Sequence, residues 1–311
     1  MEIGTVTVFG GAGFIGGYVV RALAKTGAAV KVACRRPEEA MRLKPMGGVG
    51  QITPFAANLR DEASVAAAVA GSDAVVNLVG LLYERGAQSF EAVHVEGARR
   101  VALSAKAAGA KRLVHLSAIG ADHAAPGKYG RTKAAGEDEV RAAFPDATIL
   151  RPSVVFGAED SFLNLFARLA RFTPVLPLVG GGATRFQPVY VCDVAETVRR
   201  CLEDPATKGR IYELGGPRVY TFKALLEYVM AETRRRRLLV PVPFCVMAVQ
   251  AFFLELLPKP LLTRDQINML KRDNVVAEGA LTLADLGIAP AALEAIAPGY
   301  LAWYRRGGGR S

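Results

Sequence analysis

Apolar and polar positions in the first half of the chain alternate between two kinds of segment. Short apolar runs rich in β-branched residues occur at TVTVFG (5–10), at 28–34, and in QITPF, DAVVNLVG and KRLVHLSAIG; they predict strands. Longer stretches at 16–26, 62–70, 90–108 and 133–143, several of them alanine-rich, predict helices between those strands. This βαβα order predicts an α/β fold of Rossmann type, a doubly wound parallel sheet with helices on both faces. The unbroken apolar run AVVNLVG fits a strand covered on both sides. After Ile149 the alternation loosens. Pro152, Pro174, Pro177 and Pro188 punctuate loops, and 180–183 reads as a flexible turn. Residues 1–150 are therefore expected to form the nucleotide-binding core. Residues 151–311 should add the remaining core strands and a small C-terminal cap carrying an apolar helix. The tail 304–311 is expected to fray, and no internal repeat is visible.

Composition narrows the partners more than the fold. A chain of 311 residues, 51% hydrophobic and 22% charged, is globular rather than disordered. It can build a core without disulfides or metals. The net charge of +10 is compatible with nucleic acid, anionic lipid, a phosphate-bearing cofactor or an acidic protein. No basic patch interleaved with aromatics is present, so nucleic acid is not an expected partner. Cys34, Cys192, Cys201 and Cys245 form no CxxC pair, and the three histidines are far apart; no metal site is expected. The cysteine pattern suits a reducing compartment. Only Met1 to Gly4 precede the first strand, so no signal or transit segment is expected.

Candidate chemistry begins with FGGAGFIGGYVV, between the first strand and the first helix. Gly10, Gly13 and Gly16 stand three residues apart, with Phe14 and Ile15 opening the helix. A tight turn needs positive φ, a pyrophosphate needs close backbone approach, and the helix N-terminus offers free N–H groups to phosphate. Strand followed by glycine triplet followed by helix is the context that makes this a dinucleotide motif. The second strand ends in Arg35 and Arg36, where an acidic residue would hold the ribose hydroxyls of NAD. Two guanidinium groups instead match a 2′-phosphate, so the expected cofactor is NADP(H).

The glycine loop, Tyr129-Gly-Arg-Thr-Lys133, Arg151-Pro-Ser-Val-Val-Phe-Gly157 and Pro188-Val-Tyr-Val-Cys-Asp193-Val-Ala together resemble the extended and atypical short-chain dehydrogenase/reductase superfamily. RLKPMGGVGQ, YGRTKAAGE, FGAEDSFLN, RFQPVYVCDVA and LTRDQINMLKRDN are more specific. They resemble the alpha subcomplex subunit nine family of respiratory complex I and its bacterial relatives, over almost the whole chain. The resemblance implies a Rossmann-type fold holding NADPH, in a subunit that sits beside the membrane-arm junction and is structural rather than part of the electron path. It implies further cofactor contacts at Asn58 and Leu59, at Leu78, Val79 and Gly80, at Ser117, and at Pro152 beside Ser153.

In active members of that superfamily a Tyr and a Lys four residues apart share one helix face, as Tyr129 and Lys133 would here. The ammonium lowers the phenol pKa and binds the nicotinamide ribose. The partner hydroxyl of the substrate oxygen is missing. In Leu116-Ser117-Ala118-Ile119 the first serine is kept, but Ile119 stands where the catalytic hydroxyl belongs. Losing such a donor costs on the order of 100-fold in rate. His94, in His94-Val-Glu-Gly97 where relatives carry an asparagine, reads either as a substitute polar group or as a helix histidine satisfied by a neighbour. The cofactor half of the site is thus kept and the substrate half degraded.

Arg234 to Arg237 precede LLVPVPFCVMAVQAFFLELLPKP. Pro241 and Pro243 leave an apolar helix from Phe244 to Leu257, about 21 Å long and too short to span a bilayer. It suits a helix lying in the membrane interface, in peripheral contact through 234–257 with arginines near anionic headgroups, or one docked on a hydrophobic partner. Three readings follow. The first is an NADPH-binding accessory or assembly protein of complex I, peripheral on the cytoplasmic face of a bacterial inner membrane or soluble in the cytoplasm. The second is an NADP-dependent oxidoreductase acting on a hydrophobic small molecule, for example in ubiquinone biosynthesis. The third is a module reporting the NADPH/NADP⁺ ratio.

Overall fold

The computed structural model describes residues 4–257, 260 and 262–308, which divide into two units. The first unit comprises residues up to Pro152 together with Val191–Leu214 and Glu278–Ile288. Its centre is a seven-stranded parallel sheet. Six strands come in chain order: β1 (Thr5–Phe9), β2 (Ala29–Cys34), β3 (Ile52–Ala56), β4 (Ala74–Asn77), β5 (Arg112–Leu116) and β6 (Thr148–Pro152). The strand Ile211–Leu214 completes it, and the spatial order runs Ile211–Leu214, β6, β5, β4, β1, β2, β3. Order reverses between β1 and β4, and at such a switch point a crevice opens beyond the carboxyl ends of the strands.

Four helices matter for the site: α1 (Phe14–Ala24), α2 (Glu62–Val69), α3 (Glu96–Ala107) and α4 (Lys128–Ala143). α1 packs against the helix Val191–Glu203. α2, α3 and α4 bury Val65, Val101 and Val140 in one core with Val75, Leu113 and Ile149 of the sheet. Asp61 caps α2 through Ser64 N–H. β3 is an outer strand. The flanking bonds Val30 N–H to Gln51 O and Ala57 N–H to Cys34 O put Pro54 among the positions that face away from β2. Proline is tolerated there because no ladder bond is lost.

The structure departs locally from the sequence expectation. α4 begins at Lys128, five residues before the expected start, so Tyr129 and Lys133 both lie on it. The stretch expected as one helix over 90–108 opens with a π-helical turn, Glu91–Val95, before α3.

The second unit holds Ser153–Tyr190, Gly215–Ala277 and the chain from Ala289. Three strand pairs, Val175–Val179 with Leu238–Val242, Val155–Phe156 with Val189–Tyr190, and Arg185–Phe186 with Tyr220–Thr221, accompany its helices. Phe156, Leu163, Phe186, Phe222, Leu225 and Met247 lie in its core. The expected flexible turn is a tight one: Gly180, Gly181 and Gly182 all have positive φ. The apolar helix runs Phe244–Leu254, shorter than expected. Met247 and Ala251 face inward, while Val249 and Phe253 are about 60% exposed (61% and 62%) and Leu256 beyond the helix is 75% exposed. Of the arginine run, Arg235 Nε donates to Tyr304 O and Arg237 Nε to Ala170 O, whereas Arg234 and Arg236 stay exposed. No helix among the described residues is long and apolar enough to cross a membrane.

Candidate functional site

Because the sheet is parallel, the residues singled out from sequence come to one edge of it. Gly10 follows β1, Arg35 and Arg36 follow β2, Asn58 and Leu59 lie just past β3, Leu78 to Gly80 follow β4, Ser117 follows β5 and Pro152 ends β6. The three loop glycines have distinct physical reasons. Gly10 has φ +76°, a backbone state that disfavours other residues. A side chain on Gly16 would collide with the Gly10 carbonyl oxygen and lie 2.5 Å from Gly11 Cα, so only glycine lets α1 sit this close to β1. Gly13 is exposed, and a Cβ there would meet only Gly10 O, at 3.2 Å. Its face is open to a ligand at the start of α1, where free N–H groups and the helix dipole favour phosphate. Phe14 and Ile15, in the first turn of α1, are half-buried.

Arg35 is exposed and has no hydrogen-bond partner among the described residues, whereas Arg36 forms an ion pair with Glu39. Asn58 builds a local turn: its Oδ1 accepts the Arg60 N–H and its N–H donates to Ser64 Oγ. Leu59 is buried against Gly97. Ser153 spends its hydroxyl on the carbonyl and side chain of Asn274 within the second unit. Pro152 is buried, and its carbonyl accepts the Ile119 N–H at 3.0 Å.

Tyr129, Lys133 and Glu137 line one face of α4 at i, i+4 and i+8. Lys133 is buried; its Nζ donates to Leu116 O at 3.1 Å and lies 6.0 Å from the centre of the Tyr129 ring. Burial outweighs the attraction of Glu137 and pushes the ammonium down to about 8. A Cβ on Gly80 would stand 3.4 Å from that Nζ, so the absent side chain keeps the ammonium's neighbourhood open. Ser117 Oγ is buried without a hydrogen-bond partner, and such an orphan polar atom is costly unless a ligand or water satisfies it. Ile119 is buried, and no hydroxyl stands at its position.

Sequence reasoning missed the supports beneath these residues. Glu137 is held by Arg151 through a two-pronged pair at 2.7 and 2.9 Å, which ties α4 to β6; its spacing from Lys133 could have flagged it. Asn77 on β4 and His115 on β5 face each other inside the sheet, Nδ2 to Nδ1 at 3.2 Å, and Asn77 Oδ1 accepts the Val79 N–H. Burial and the Lys133 charge push His115 down to about 3. His94 is satisfied by neighbours, accepting the Leu81 N–H and meeting Thr132 Oγ1. Among the described residues no cluster could hold a metal ion.

This arrangement is that of a dinucleotide-binding α/β protein. The model of the NAD dependent epimerase/dehydratase family matches residues 6–215, and the chain belongs to that family. Within it the chain belongs to the alpha subcomplex subunit 9 group: it is 40% identical to NADH dehydrogenase (ubiquinone) 1 alpha subcomplex subunit 9, mitochondrial, of Arabidopsis thaliana, over 97% of this chain and 78% of that protein. A ceramide reductase of Caulobacter vibrioides is 34% identical over 62% of this chain and 59% of that one. Among solved structures, the NADPH-dependent quinone oxidoreductase QOR2 of Escherichia coli, complexed with NADPH, shares the fold with TM-score 0.76 at 21% identity, over 95% of this chain and 99% of that chain.

Proposed function

We propose that the protein is an NADPH-binding accessory or assembly protein associated with respiratory complex I, in which the nucleotide is structural. The observation that supports this reading is an asymmetry: the open glycine loop, the exposed Arg35, the orphan Ser117 hydroxyl and the buried Lys133 ammonium are kept, while a buried isoleucine, Ile119, stands where the family resemblance puts the catalytic hydroxyl. The relatives named as complex I subunits support the partner. In this reading Gly10, Gly13 and Gly16 shape the diphosphate cradle with Phe14 and Ile15, Arg35 with Arg36 meets the 2′-phosphate, and Asn58 with Leu59 borders the adenine. Leu78, Val79 and Gly80 lie beside the pyrophosphate and the nicotinamide ribose, and Pro152 flanks the nicotinamide. Ser117 supplies a hydroxyl and Lys133 an ammonium to that half. When bound, NADPH would supply a hydride donor, and tight binding to the native state alone stabilises the fold by mass action. The test is a pull-down from native bacterial membranes in mild detergent, with mass spectrometry of proteins and nucleotide together. Complex I subunits and NADPH should co-purify; absence of complex I subunits in every mild detergent overturns the partner.

The second reading, an NADP-dependent oxidoreductase on a hydrophobic small molecule such as a ubiquinone-pathway intermediate, is favoured by the retained Tyr129–Lys133 pair and by the likeness to a ceramide reductase. Turnover abolished by Tyr129→Phe would establish it in place of the first.

We also infer peripheral contact with an anionic membrane, on its cytoplasmic face in a bacterium. In the second unit Lys and Arg outnumber Asp and Glu two to one. The outward stripe of Val246, Val249, Phe253 and Leu256 is the apolar counterpart of that charge. Vesicles containing anionic lipid should co-sediment with the protein, and Val249→Glu with Phe253→Glu should weaken that binding about tenfold or more. Equal binding to neutral vesicles, or no effect of the double change, removes the inference.

A further inference from the structure

The two nitrogens of His94 join separate pieces of the first unit. Nε2 accepts the Leu81 N–H at 2.9 Å. A neutral imidazole carries one N–H, so it lies on Nδ1 and is donated to Thr132 Oγ1, 3.1 Å away. The Thr132 hydroxyl then donates to Lys128 O or Tyr129 O, at 3.0 and 3.1 Å. The ring stacks on Phe90 with centroids 5.1 Å apart and meets the Tyr129 ring edge-on at 5.3 Å. Protonation would set two N–H donors against each other at Leu81. Burial first, then the charges of Lys133 and His115, push the imidazole down to about 2.

The local backbone explains how the ring reaches this place. The π-helical turn Glu91–Val95 carries one residue more per turn than an α-helix would and swings His94 inward. Its carbonyl bulges toward α4, where a side chain on Gly136 would collide with it. Gly136 therefore lets α4 close on the turn. The open position beside Gly80 is shared: a Cβ there would lie 3.4 Å from Lys133 Nζ and 3.9 Å from His94 Nε2.

We propose that His94 is a positioning residue: as the Nδ1–H tautomer it locks the Gly80–Leu81 backbone to the first turns of α4, and so sets the gap between the segment after β4 and the Tyr129/Lys133 pair. It acts through Leu81 and Thr132, to which both its ring nitrogens are bonded. Its consequence for ligand binding rests on the reading that a nicotinamide half lies at that gap; the lock itself does not.

Two measurements separate these. In the nucleotide-free protein, His94→Phe keeps the stacked ring but removes the acceptor. Hydrogen exchange at the Leu81 amide should then quicken at least tenfold while β5 amides stay unchanged, and His94→Gln, with an acceptor oxygen near the place of Nε2, should restore most of the protection. In the second, NADPH affinity should fall about tenfold in His94→Phe, while adenosine 2′,5′-bisphosphate, which lacks the nicotinamide half, binds as before. Unchanged Leu81 exchange, or loss of protection that glutamine does not rescue, overturns the lock. Equal weakening of both ligands overturns its placement at the nicotinamide end. If the wild type binds neither nucleotide, the cofactor reading fails while the exchange result still decides the lock. Should His94→Phe not fold, the ¹⁵N signals of the wild-type ring decide it: an Nε2–H tautomer excludes the lock.

Discussion

Arg35→Asp is expected to weaken NADPH binding roughly 10- to 100-fold and to leave NADH binding nearly unchanged, the loss matching one or two charge-assisted hydrogen bonds to phosphate. The prediction follows from how the two arginines differ. Arg35 is exposed and has no partner among the described residues, so its guanidinium is available to a 2′-phosphate. Arg36 is already paired with Glu39, and Arg36→Asp should have the smaller effect. Titration of nicotinamide fluorescence with each nucleotide decides the matter. Equal loss for both nucleotides, or for neither, contradicts the 2′-phosphate assignment.

The second large effect is loss of stability in acid. His94 and His115 are held neutral, with folded values near 2 and 3 against an ordinary 6.5. Between pH 6.5 and about 3 the unfolded chain therefore binds more protons than the native one, and stability falls as pH falls through that window. Each histidine contributes about 1.4 kcal/mol per pH unit, so the pair removes about 5 kcal/mol by two units below the upper limit. That is a large share of a domain's usual stability. Lys133 has the same sign at the other end of the scale: its folded value near 8 lies below the unfolded 10.5, so its burial costs stability fully below pH 8 and is relieved as pH rises from there to 10.5. Denaturant midpoints at pH 7, 6, 5 and 4.5 measure the acid slope, and His115→Gln should roughly halve it. A flat profile from pH 6.5 to 4.5 would show that neither imidazole is held neutral.

Much of the first unit was legible because a parallel sheet buried on both faces writes itself as continuous apolar runs; AVVN of β4 is buried throughout. The glycine loop was legible because its spacing between strand and helix is distinctive, with Gly10 answering a positive φ and Gly16 a close helix–strand approach. Other features depend on contacts between distant residues and leave little local trace. The early start of α4 was hidden by Gly130, a poor helix former kept because a Cβ there would lie 2.6 Å from Ala125 Cβ and 2.7 Å from Gly120 O. The π-helical turn was invisible because the same apolar spacing reads as ordinary helix, and only its packing on Gly136 distinguishes it. Residues 191–214 and 278–288 belong to the first unit although residues of the second lie between them in sequence; further core strands after residue 150 were expected, but no local pattern marks these bounds. In the arginine run, two side chains fasten backbone carbonyls and two face outward, a division that four identical letters cannot carry.

Pro54 in the outer strand has one more effect. With a ring where an amide hydrogen would point outward, that margin of the sheet offers a neighbouring chain an interrupted row of donors. Copies of the protein are thereby discouraged from zipping together along this margin, and a partner that meets it finds side chains rather than a continuous ladder to extend.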